Sequence, residues 1–68
     1  MIKVQTLVLT EGDNTYRISA FADSKSEVTP QAEIIGLPEG ANIDMGSSIL
    51  TADGDLAFMK STGEWNWS

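Results

Sequence analysis

Ile2-Lys3-Val4-Gln5-Thr6-Leu7-Val8-Leu9-Thr10-Glu11-Gly12-Asp13-Asn14-Thr15-Tyr16-Arg17-Ile18-Ser19-Ala20-Phe21-Ala22 reads as strand, turn and strand. In its first limb Ile2, Val4, Thr6 and Val8 alternate with Lys3, Gln5, Leu7 and Leu9, a β-branched period of two that predicts a strand. The second face turns apolar at Leu7 and Leu9. That change predicts a strand covered on one side at its start and on both sides at its end, as when a partner subunit or second layer closes over it. A long edge strand of this kind needs company. Glu11-Gly12-Asp13-Asn14 is a cluster of turn formers in which Gly12 and Asn14 tolerate positive φ, so the chain reverses there. The return strand runs from Thr15 to Ala22, with Tyr16, Ile18 and Ala20 on one face and Arg17, Ser19 and Phe21 on the other.

Downstream, residues 23–29 are polar and lack a hydrophobic period, and Pro30 biases Thr29 towards extended geometry. A short strand is expected over residues 31–35, ending on Ile34-Ile35. Gly36, Pro38 and Gly40 then rule against a regular helix and favour an extended loop. The strand rhythm returns from Ser47 to Thr51, reverses through Ala52-Asp53-Gly54-Asp55, and continues from Leu56 to Ser61. Asp-Gly between two apolar runs is a strong hairpin signal. Thr62-Gly63 offers a second reversal, and Glu64-Trp65-Asn66-Trp67 then places both tryptophans on one strand face. The expectation is an all-β domain of five or six short strands. Its parts are an N-terminal hairpin (1–22), a Pro/Gly-containing connector with a short strand (23–45) and a C-terminal three-stranded meander (46–68).

Size makes the core of such a domain thin. A chain of 68 residues buries only about 60% of the surface its unfolded form exposes, and small domains recover the shortfall through disulfides, a structural metal or oligomerisation. The sequence contains no cysteine and no histidine, which removes disulfides and the Cys/His donors of structural zinc sites. Oligomerisation remains, so the fold is expected to be completed by self-association or docking. A chain free of cysteine fits any redox compartment. The N-terminal stretch shows no signal-peptide cleavage signature, and no apolar run approaches the ~20 residues needed to cross a bilayer. The expectation is a soluble chain with no membrane partner.

Ten acidic residues against four basic ones give a net charge of −6, with Lys3, Arg17, Lys25 and Lys60 dispersed along the chain. Binding to nucleic acid needs a clustered positive patch and is not expected. Ser-His and Cys-His relays are excluded by composition. Paired carboxylates for glycoside hydrolysis need a deep cleft and burial that short loops rarely give. Asp53-Gly54-Asp55 resembles a fragment of a calcium loop, but Ala57 falls where the next ligand belongs and no closing bidentate Glu follows. Turn chemistry accounts for it, and likewise for Glu11-Gly12-Asp13-Asn14. Gly36, Gly40 and Gly46 lack the spacing of a phosphate-binding loop. The chain is therefore expected to be no enzyme, with no catalytic, cofactor-binding or metal-ligating residues.

The segment Gly46-Ser47-Ser48-Ile49-Leu50-Thr51-Ala52-Asp53-Gly54-Asp55-Leu56-Ala57-Phe58-Met59-Lys60-Ser61-Thr62-Gly63-Glu64-Trp65 resembles a recurring element of small tailed-bacteriophage virion proteins of the head-fibre, decoration and fibre-attachment type. In that group a Gly-Ser opening, an aliphatic strand, an acidic Gly turn, an apolar-aromatic strand and a Gly-x-Trp ending recur near the C-terminus. The match covers about a third of this chain and is carried by the order of the parts. The resemblance implies a non-enzymatic structural protein of the capsid, neck or tail, assembled in the host cytoplasm into the virion. Its implied partners are other virion proteins and further copies of itself, with a trimer favoured.

The residues expected at such interfaces are Leu7, Leu9, Ile49, Phe58, Trp65 and Trp67. Two other functions fit the composition. A carbohydrate-binding module would stack sugars on Trp65 and Trp67, with Tyr16 alongside. An acidic inhibitor or nucleic-acid mimic would use the charge of −6 to occupy a basic site, although its acids are spread among loops.

Overall fold

The computed structural model describes residues 1–29 and 32–68. The expected influence of Pro30 on Thr29 and the start of the 31–35 strand at Gln31 lie outside the described residues. Within them the chain is all-β: seven strands form one mixed sheet.

The first hairpin is built as its alternation requires. Strand β1 (Ile2–Glu11) and strand β2 (Thr15–Ala22) pair antiparallel, and Gly12 turns the chain with φ +59°. At about 3.3 Å per residue, the ten residues of β1 match the 34 Å long axis of the molecule. On β2 the sequence-derived faces hold: Ile18 and Ala20 are buried and Tyr16 half-buried, whereas Arg17, Ser19 and Phe21 are exposed.

The faces of β1 need a correction. Ile2 pairs with Ala22 and Val4 with Ala20, but Thr6 then pairs with Ser19 and Leu7 with Ile18, so Gln5 is the extra residue of a β-bulge. One extra residue swaps the faces of the strand beyond it, here as far as Leu9, after which Thr10 is a second unpaired residue. Leu7 and Leu9 therefore share a face with Ile2 and Val4, while Thr6 and Val8 join Lys3. The shift of apolar parity along β1 is the imprint of the bulge, where a simple period of two had put Thr6 and Val8 beside Ile2 and Val4.

The remaining strands are short. Strand β3 (Ile34–Ile35) runs parallel to β1 beside Ile2 and Lys3. Strand β4 (Asn42–Ile43) falls where only an extended loop was expected, and it runs parallel to β2 beside Thr15 and Tyr16. Strand β5 (Ser48–Thr51) continues along the same edge of β2, parallel to Ser19–Ala22. Strands β6 (Leu56–Met59) and β7 (Trp65–Trp67) complete an antiparallel meander. The order across the sheet is β3-β1-β2-β5-β6-β7, with β4 also on β2. The two hairpin units are thus fused into one sheet through the β2–β5 ladder.

The two C-terminal reversals share one geometry. Thr51 N–H donates to the Asp55 carbonyl (2.9 Å) and Gly54 N–H to the Thr51 carbonyl (3.0 Å); Lys60, Glu64 and Gly63 repeat both bonds at 2.9 Å. Gly54 and Gly63 take φ +92° and +87°, a left-handed conformation that costs a residue with Cβ about 1–2 kcal/mol. The second turn begins at Lys60, so β6 stops at Met59 rather than running on to Ser61.

Where the chain passes from β4 to β5 along β2, the amide of Ile18 would lose its ladder partner. Ser47, completely buried, supplies one: its Oγ accepts from Ile18 N–H at 2.9 Å and donates to the Asp44 carbonyl at 2.8 Å. On either side the ladder resumes, with Asp44 N–H donating to the Tyr16 carbonyl at 2.7 Å.

One face of the sheet is covered by the chain itself. Its central row runs Val4, Ala20, Ile49, Ala57, Trp67 across five strands, alternating large and small side chains. Ile2, Ile18, Ala20, Ala22, Ile49 and Ala57 form the core, and the connector lays Val28, Ala32 and Leu37 over it. A 3-10 turn at Lys25–Glu27 anchors the connector. The Glu27 carboxylate accepts the Asp23 and Ser24 amides (2.9 and 3.2 Å), and Lys25 Nζ lies 4.8 Å from the Trp67 ring centroid, a cation–π distance.

Candidate functional site

The opposite face has no covering layer among the described residues. Its principal row crosses five strands as Ile35, Lys3, Phe21, Leu50 and Leu56, and Phe58 stands one row away, opposite Ser48. Phe21 is 46% exposed, Phe58 41%, Ile35 40% and Leu50 38%. Isolated exposed apolar residues are ordinary; a continuous patch spanning strands is a mark of an interaction surface. A shallow groove of about 540 Å³ opens along it between Lys3, Gln5, Phe21, Leu50 and Ala52.

Local sequence explains why this face is apolar yet wet. Phe21, Leu50 and Phe58 occupy the strand positions that alternate with the core residues Ala20, Ile49 and Ala57. Period-two geometry sends them to the other side, and with only 68 residues the one connector that covers a face already lies on the core side. Two of the four basic residues, Lys3 and Arg17, also point to the open face: Lys3 stands in the row between Ile35 and Phe21, and Arg17 lies 3.9 Å from the Asp44 carboxylate. Arg17 is held there by its Nε donating to the Met45 carbonyl at 3.3 Å.

The residues expected at interfaces from sequence are distributed over several surfaces. Phe58 lies on the open face. Leu7 and Leu9 lie on the distal half of the β1–β2 arm, 39% and 51% exposed. Ile49 is completely buried at the centre of the core and offers no surface to a partner. Trp65 and Trp67 are half-buried on the covered face, packed against the core with Asn66 pointing away. Trp65 also lines a second cavity of about 290 Å³ together with Ile43 and Met59. Phe21, Leu50 and Ile35 were missed by sequence reasoning, although Phe21 had been placed on the same face as Arg17 and Ser19, which is the signal that would have found it.

Among the described residues no three His, Cys, Asp or Glu side chains converge on a common point. Asp53-Gly54-Asp55 closes the β5–β6 hairpin, where Asp55 N–H donates to Thr51 Oγ1 at 3.1 Å. No helix among the described residues is long and apolar enough to cross a membrane.

No family model, curated protein or solved structure matches the chain.

Proposed function

We propose that this chain is a non-enzymatic structural subunit of a tailed-bacteriophage virion, assembled onto the capsid, neck or tail through the open face of its sheet. The observation that carries the reading is the one-sided architecture: the connector covers one face, while Ile35, Phe21, Leu50 and Phe58 stay exposed across the other. Burying apolar area is the main favourable term in protein association, and a chain with so small a core gains from completing its sheet against a neighbour. The resemblance of residues 46–65 to head-fibre and decoration proteins supplies the class of particle. Lys3, standing in the row between Ile35 and Phe21, suits a partner surface that brings an acidic or carbonyl group into an apolar contact.

Packing of both indoles against the core, with Lys25 over Trp67, favours assembly over sugar stacking, which needs free ring faces. Particles purified on a density gradient from cells producing this chain provide the test. Quantitative mass spectrometry should find the chain in the particle band at a fixed ratio to the major shell or tail protein. A chain confined to the unsedimented fraction would overturn the reading.

A further inference from the structure

The distal half of β1 carries a feature that the open face does not explain. Beyond Lys3, where β3 ends, no strand among the described residues pairs with the outer edge of β1. Ladder rungs Thr6, Leu7, Val8, Leu9 and Glu11 therefore present a free edge with unpaired main-chain groups. Leu7 and Leu9 project on one face of this arm and Val8 on the other, and all three are 39–51% exposed. Natural edges of this length are usually blunted by charge, proline or a covering segment. Between the bulge at Gln5 and a second register shift at Thr10, residues 6–9 carry none of these.

Its sequence is also a palindrome: Thr6-Leu7-Val8-Leu9-Thr10 reads the same in both directions about Val8. In an antiparallel ladder the partner strand is read backwards, so a palindrome is complementary to itself. Two copies related by a two-fold axis through Val8 would set Val8 against Val8, and Leu7 of each against Leu9 of the other. The axis falls on the middle of residues 6–10, so neither strand runs into β3. The paired stretch Thr6–Thr10 contains no charge, and each Glu11 falls opposite the other copy's Gln5, so the net charge of −6 per chain opposes no like charges across the seam.

We propose that a second copy of this chain pairs antiparallel along the outer edge of β1, on a two-fold axis at Val8, joining two sheets into one continuous sheet. The proposal rests on the assembly reading above and adds the identity of one partner. The contact is isologous, which differs from the trimer that the family resemblance implies. It satisfies the edge amides and carbonyls and covers Leu7, Val8 and Leu9 while leaving the open face free for other proteins.

The absence of cysteine makes the test clean. Opposed Cα atoms in an antiparallel ladder lie about 4.5–5.5 Å apart, within disulfide reach. Val8→Cys should therefore form covalent dimers under mild oxidation about tenfold faster or more than Leu50→Cys on the open face. Val8→Lys places like charges opposite each other on the axis and should raise the dimer dissociation constant in sedimentation velocity by about tenfold or more, with an unchanged far-UV circular dichroism spectrum. Monomeric wild type up to millimolar concentration, with Val8→Cys no faster than Leu50→Cys, would overturn edge pairing. So would association that Val8→Lys leaves intact. Either result leaves the open-face reading standing, because that reading is scored by the chain's presence in particles.

Discussion

Ile49→Ala is expected to cost about 2–5 kcal/mol of folding free energy. Ile49 is completely buried, and its cross-strand neighbours on the covered face are Ala20 and Ala57. Two methyl side chains cannot swing into the space that an isoleucine vacates, so the cavity stays open and the upper half of the range applies. A domain of this length has total stability of about 3–10 kcal/mol. The variant should therefore lose a large share of its stability, and urea denaturation followed by tryptophan fluorescence would measure the loss. Leu50→Ala, one residue along and on the open face, should shift stability by less than about 1 kcal/mol. Equal losses at the two positions would mean that both faces are buried in the isolated chain, contrary to the exposure of Phe21, Leu50 and Phe58.

Ser47→Ala should be nearly as severe for a different reason. It deletes the acceptor for the buried Ile18 amide and the donor to the Asp44 carbonyl, and an unsatisfied buried group costs about 1–3 kcal/mol. A change of one kcal/mol moves the melting temperature of a domain this small by about 4–8 °C, so the effect is readable in a thermal scan. Amide exchange gives a sharper readout: the Ile18 N–H should lose protection out of proportion to its neighbours. Ser48→Ala, next along and turned to the open face, should change little. An unshifted melting point with full Ile18 protection in Ser47→Ala would show that the seam between β4 and β5 is closed some other way.

How much of this was legible in the sequence varies from element to element. β2 was fully readable, because Tyr16, Ile18 and Ala20 alternate with Arg17, Ser19 and Phe21 and the structure keeps that parity throughout. The meander was readable because Asp53-Gly54 and Thr62-Gly63 supply the left-handed positions that both reversals use. β1 was recognised as a strand, yet its faces were not, since a period of two has no place for an inserted residue. The switch of apolar parity between Val4 and Leu7 was read as burial on both sides when it records the bulge at Gln5. β4 was invisible for a more basic reason. Two residues between Gly40 and Gly46 carry no period, and Asn42–Ile43 are strand only because the edge of β2 offers Asn14 and Tyr16 carbonyls, the former accepting from Asn42 N–H at 2.7 Å. Ser47 is hidden in the same way, as its burial exists only where two strands share one edge.

The candidate surface was half legible. Phe58 was recognised from its place in an apolar strand, whereas Ile49 was assigned to an interface because a four-residue strand does not reveal which of its faces the core will take. Once the β2–β5 ladder pairs Ala20 with Ile49, the assignment is fixed: Ile49 goes in, and Phe21 and Leu50 go out together. The charge distribution likewise acquires meaning only in the fold, which gathers the sequence-distant Lys3 and Arg17 onto the one face that is left uncovered.

Incorporation of wild type and a Phe21→Glu/Phe58→Glu variant into purified particles tests the docking role of the open face most directly. Both substitutions fall on exposed positions, so the variant should keep the wild-type circular dichroism spectrum and melt within a few degrees of it. Its occupancy in particles should nevertheless fall by about tenfold or more, since two buried aromatic anchors each contribute about 1–3 kcal/mol to binding. Occupancy equal to wild type, with the fold intact, would contradict assembly through this face.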